Sequence, residues 1–212
     1  MSRNRLIYVM DPMCSWCWGF APVAQALIDQ AAAVGVATHV VVGGLRTGSG
    51  AALEPATRDY IIEHWHAVQD TTGQAFEFEG ALPAGFVYDT EPACRAIVAT
   101  RELAPDLAWP LVKLIQQAFY TQGLPVNQAV ELVALAETAG VPRIEFAEAF
   151  DSASALQATQ ADFAWTQGLG IAGFPTLLAE RDGQLALLTN GYRPLAELAP
   201  LLARWLERAS DA

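Results

Sequence analysis

Two cysteines three positions apart, Cys14 and Cys17, stand where an apolar run gives way to an amphipathic one. Leu6-Ile7-Tyr8-Val9-Met10 precedes them, and residues 18–33 follow with apolar side chains at three- and four-residue spacing. That order predicts a buried strand, a break at Asp11-Pro12, and a helix with Cys14 at its first turn. Unpaired N–H groups at a helix N-terminus favour negative charge, and the thiolate is the reactive form of cysteine. Cys17, one turn further on, is placed to close a disulfide with Cys14 or to resolve one. The spacing therefore predicts a thiol–disulfide redox pair with Cys14 as the nucleophile.

The competing reading of Cys-x-x-Cys is half of a structural zinc site, which wants four ligands. Only Cys94 and three histidines remain to complete one. His64 and His66 are two apart on a predicted helix and diverge, and His39 falls in a predicted strand, so no metal is expected. Three cysteines cannot form a stapling framework, and Cys94 is expected to pack as a small hydrophobe in a helix. The net charge of −11 argues against nucleic acid and against anionic membrane surfaces, both of which need basic patches. No stretch reaches the roughly 18 apolar residues of a membrane span, and the N-terminal residues do not read as a signal peptide. The expected location is the cytoplasm, where disulfides are transient and catalytic rather than structural.

Along the chain, residues 36–42 form a second β-branched strand, which completes a βαβ unit with parallel strands. Gly43-Gly44-Leu45-Arg46 opens a glycine-rich loop that matches no phosphate-binding motif. Helices are expected at 58–70, 91–103, 107–121, 128–139, 143–150 and 154–167, with Thr90 and Asn127 as side-chain caps. Strand character returns at 176–179 and 184–188 around an Arg181-Asp182-Gly183 turn, and residues 194–208 form a closing helix. Pro22 falls inside the first helix. The expectation is an α/β chain, with residues 1–54 and 168–212 as one domain and 55–167 as an inserted helical domain.

This layout, Cys14-Ser15-Trp16-Cys17 at a strand-to-helix junction, Pro22, and the Gly173-Phe174-Pro175-Thr176 loop together resemble the DsbA family of thioredoxin-fold thiol–disulfide oxidoreductases. The Trp16-Cys17-Trp18-Gly19-Phe20 wording and the Gly43-Gly44-Leu45-Arg46 loop look closest to its cytoplasmic FrnE-like branch of predicted disulfide isomerases. The resemblance implies a thioredoxin-like fold (βαβ … ββα) with a large helical insertion. It implies a cis Pro175 facing the cysteines, with Ser15, Trp16, Phe174 and Pro175 contacting a disulfide- or thiol-containing protein or small-molecule substrate. It also implies no bound cofactor, with glutathione as a candidate redox partner. Strongly oxidising members of the family carry a histidine between the cysteines. Ser15-Trp16 carries no charge, so a less oxidising pair is expected. Asp11 or another nearby carboxylate is a candidate proton relay. Two alternatives stand beside this reading. One is a glutathione-dependent, kappa-class-like transferase or isomerase, against which the intact cysteine pair counts. The other is a non-catalytic partner- or metal-binding module that keeps the fold.

Overall fold

The computed structural model describes residues 4–48 and 50–210 of the chain. Strands β1 (Arg5–Met10), β2 (Ala37–Val42), β3 (Thr176–Arg181) and β4 (Gln184–Asn190) form one mixed sheet in the order β2-β1-β3-β4. β1 pairs with β2 in parallel and with β3 in antiparallel, and β4 pairs antiparallel with β3. The parallel pair needs a crossover connection, and helix α1 (Ser15–Ala32) supplies it. After Arg5, β1 is apolar because both of its faces are covered. Leu6, Tyr8 and Met10 enter the large core, while Ile7 and Val9 join Val41 and Leu178 on the other face. The β3–β4 hairpin turns at Asp182 and Gly183, both with positive φ (50° and 80°), the conformation that lets a two-residue turn follow the strand twist.

Between β2 and β3 lies the helical insertion: α2 (Pro55–Thr72), α3 (Glu91–Leu103), a 3-10 turn (Pro105–Leu107), α4 (Ala108–Gln122), α5 (Ala129–Ala139), α6 (Arg143–Phe150) and α7 (Ala153–Gly168). α3 is its buried centre. Ala93, Cys94, Ala96, Ile97, Val98 and Ala99 are all inaccessible to solvent, and small side chains there let neighbouring helices approach. The closing helix α8 (Leu195–Ser210) packs on α1. One buried apolar cluster runs from the sheet through α1 into the insertion. Among the described residues no helix is long and apolar enough to cross a membrane.

A partly buried ion pair fastens the insertion to the edge of the sheet. Arg101 Nη1 donates to Asp162 Oδ2 (2.7 Å) and to the Val40 carbonyl (2.6 Å), and Asp162 Oδ2 accepts from the Val42 amide (3.0 Å). The unpaired backbone groups of β2 are thereby capped from within the chain.

Local structure departs from the sequence reading at two helix starts, those of α3 and α5, while α1 begins at Ser15 with Cys14 at its start as the sequence predicts. Cys14 is its N-cap, extended at φ −85° and ψ 118°, and its carbonyl accepts from the Cys17 and Trp18 amides. Thr90 does precede α3, but it makes no side-chain cap: its Oγ1 accepts from the Arg46 amide at 3.3 Å. Asn127 is not a cap either, because Gln128 occupies that position and Asn127 Nδ2 donates to the Val87 carbonyl at 2.8 Å. In both cases a distant partner outcompetes the helix end for the side chain.

Candidate active site

The site is built where β1 ends. Asp11, fully buried, follows the strand and organises the turn to α1. Its Oδ1 accepts from the Met13 amide (2.9 Å) and its Oδ2 from the Leu45 amide (2.7 Å), with Cys94 Sγ 3.5 Å from Oδ2. One carboxylate thus ties the cysteine turn to the glycine loop and to α3. Burial pushes the Asp11 carboxyl above the usual range, an effect partly offset by the Leu45, Thr90 and Met13 donors. With its oxygens engaged in this way, Asp11 is an anchor for the turn rather than a free base. Cys94 is buried in α3, and burial, followed by the neighbouring Asp11 charge, pushes its thiol up.

Cys14 and Cys17 are both free thiols. Cys14 is 6% exposed and lines a cavity, whereas Cys17 is fully buried. Burial pushes the Cys17 thiol well up, and the adjacent Cys14 adds to this, while the Asp11 backbone N–H opposes it. Cys14 Sγ lies 3.7 Å from the Phe174 carbonyl oxygen. The Phe174–Pro175 peptide bond is cis. That loop is held by the Gly191 amide, which donates to the Pro175 carbonyl (2.7 Å), and by Thr176 Oγ1, which donates to the Gly173 carbonyl (2.9 Å). Gly43 lets the loop approach: a Cβ there would stand 2.0 Å from Phe174 Cζ, deep inside contact distance.

The aromatic residues divide by role. Phe20 is wholly buried and belongs to the core. Trp18 is a fastener: its ring stacks on Tyr120 (5.9 Å, 10°), its Nε1 donates to the Ala75 carbonyl (2.9 Å), and its carbonyl accepts from Gln74 (2.9 Å). Trp16 stays half-exposed and lines two cavities. Ser15 and Cys14 share the first with it, about 240 Å³ in volume; Phe174 and Tyr192 share the second, about 310 Å³. Behind the pair, burial raises the hydroxyls of Tyr8, Tyr88 and Tyr120, so this wall stays uncharged. Tyr88 also donates its O–H to the Met13 carbonyl beside Cys14.

The cysteine pair, read from its position, and the Phe174-Pro175 loop, expected from the resemblance, meet in space. Arg46, Tyr60, His64 and Tyr88 also line the first cavity. None of these, nor Tyr192 in the second, carried a motif, because each reaches the site from the glycine loop, the insertion or the far loop. Among the described residues no group of three or more His, Cys, Asp or Glu side chains is arranged to hold a metal ion.

The model of the DSBA-like thioredoxin domain matches residues 5–203. No curated protein sequence matches the chain. Among solved structures, a candidate protein disulfide isomerase from Nitrosomonas europaea is 43% identical with a TM-score of 0.90, the match covering 97% of this chain and 98% of that one. The cytosolic disulfide reductase DsbM from Pseudomonas aeruginosa is 30% identical with a TM-score of 0.79, covering 98% and 100% of the two chains. A structure of DsbM with GSH aligns at 26% identity and a TM-score of 0.77, over 98% and 100%. With the family model spanning almost the whole chain, this protein belongs to the DSBA-like thioredoxin-domain family of thiol–disulfide oxidoreductases.

Proposed function

We propose that the protein exchanges disulfides through Cys14 and Cys17, with Cys14 as the nucleophile, and that it reduces or isomerises disulfides in the cytoplasm. The observation that carries this is the pairing of an N-cap thiol, which lines a cavity, with a buried thiol one turn on, the first facing the Phe174 carbonyl. In the forward cycle the Cys14 thiolate attacks one sulfur of a substrate disulfide. The S–S bond breaks, one half leaves as a thiolate, and a mixed disulfide remains on Cys14. Cys17 then loses its proton and attacks Cys14 Sγ, and the second half leaves as a thiolate. Both leaving thiolates take up protons. The substrate has gained two electrons and two protons, and the protein dithiol has become a disulfide.

Cys17 is buried, which favours its neutral form until the mixed disulfide brings a sulfur electrophile beside it. Ser15, Trp16, Phe174 and Pro175 form the contact surface in this reading, with the Phe174 backbone pairing an extended substrate segment. Glutathione is the proposed redox partner, and no bound cofactor is required. The DsbM structure with GSH supports glutathione as the partner, and the cytosolic assignment of that relative supports the location. Substrates are thiol- or disulfide-bearing proteins or small molecules. The test is an exchange assay on a model disulfide protein, together with equilibration of the Cys14–Cys17 couple in glutathione buffers. A reversible two-electron couple with exchange activity is expected. Absence of both would overturn the reading.

A further inference from the structure

The cavity of about 240 Å³ beside Cys14 has an uneven charge. Arg46, Tyr60, His64 and Tyr88 line it, and among the described residues no aspartate or glutamate does. The whole chain carries a net charge of −11, so an acid-free pocket lined by both Arg46 and Cys14 stands against the background. Arg5, Arg58, Arg95, Arg101, Arg143 and Arg193 each pair with a carboxylate. Arg46 makes no such pair among the described residues; its guanidinium carbon lies 5.6 Å from the centre of the Tyr88 ring. Its backbone is fixed, the amide donating to Thr90 Oγ1 (3.3 Å) and the carbonyl accepting from the Thr90 amide (2.8 Å). Next to it, the Leu45 amide is tied to Asp11 (2.7 Å). His64 is also oriented, with Nδ1 2.8 Å from the Tyr60 carbonyl, which leaves Nε2 without a hydrogen bond among the described residues. A guanidinium on an anchored backbone, with its fork of donors unclaimed by an acid, matches a carboxylate.

We infer that this pocket sorts disulfides by charge, favouring low-molecular-weight disulfides whose carboxylate reaches Arg46 while the S–S bond lies at Cys14. The inference rests on the exchange reading above and adds the substrate class. The pocket has room for the arm of a small molecule, and a carboxylate on that arm would also face His64 and the Tyr60 and Tyr88 rings.

The test uses reduced protein in single turnover, followed by tryptophan emission, with bis(carboxymethyl) disulfide and neutral bis(2-hydroxyethyl) disulfide. Each rate constant is divided by that disulfide's rate with free 2-mercaptoethanol, which removes intrinsic reactivity. The wild-type protein should favour the anionic disulfide, and added salt should shrink the preference. Arg46→Gln should lower the anionic rate about tenfold more than it lowers the neutral rate, the scale of one charge-assisted hydrogen bond. Arg46→Lys should retain part of the preference. Equal corrected rates for the two disulfides, or equal losses on both in Arg46→Gln, would overturn the charge selectivity while leaving exchange intact. No reaction with either would overturn both readings. A disulfide-linked peptide with glutamate beside its cysteine, compared with its glutamine counterpart, separates the sources of the carboxylate. A preference as large as that for the small pair would overturn the restriction to small disulfides.

Discussion

Cys14 Sγ and the Phe174 carbonyl oxygen face each other at 3.7 Å across a sequence separation of 160 residues. The whole insertion lies between them in the chain, yet the contact joins two short loops at one end of the two central strands, β1 and β3. Gly43 is what lets the second loop come so close. Gly43→Ala should push the Phe174 ring aside at a cost of about 1–3 kcal/mol, the usual range for overpacking a filled site. A lower urea midpoint, with slower reaction toward a peptide disulfide than toward a small one, is the expected pair of results.

Asp11→Asn tests the anchor. An amide has one acceptor oxygen where the carboxylate has two, so either the Met13 or the Leu45 amide loses its partner. The variant should lose about 1–3 kcal/mol in denaturant unfolding, the cost of an unsatisfied buried donor. If Asp11 were instead a free proton relay, stability would hold and only the resolving step would slow.

The Arg101–Asp162 pair predicts a larger loss. Both side chains are 13% exposed, and removing Arg101 leaves the Asp162 charge and the Val40 carbonyl without it. Arg101→Ala should cost about 2–4 kcal/mol, toward the range for breaking a buried pair from one side but eased by partial exposure and the Val42 donor. Replacing both partners with apolar residues should cost less.

Redox state should couple to pH through Cys17. Its thiol titrates higher in the folded, reduced protein than in the unfolded chain, chiefly because it is buried. Stability from that difference is full below the unfolded thiol range, about pH 8.5, and is lost as pH rises above it, because the unfolded chain releases the proton first. The oxidised protein has no Cys17 thiol to titrate. Urea midpoints of the two forms should therefore diverge above about pH 9, the reduced form falling faster. Parallel curves would contradict the burial of Cys17 as its cause.

Much of this was legible because it is local. Leu6 to Met10 read as a strand buried on both faces, Asp182-Gly183 as a tight turn, and Cys14 as a residue at a helix start, since neighbours in sequence set each of these. What escaped was set by distant partners. Thr90 and Asn127 look like caps, but Arg46 and Val87 claim their side chains. Trp18 and Trp16 are nearly adjacent aromatics, and only packing tells that one is stacked under Tyr120 while the other stays at the mouth of two cavities. Arg101 and Asp162 carry no shared motif, because their meeting depends on how α3 and α7 lie against β2.

The central claim is that Cys14 attacks and Cys17 resolves. It is tested most directly by mixing reduced Cys17→Ser protein with a model disulfide and mapping the product by mass spectrometry. The account predicts a stable one-to-one mixed disulfide on Cys14, released by added thiol, with Cys94 unmodified. An adduct on Cys94, or no adduct while the wild-type protein still turns over, would contradict it.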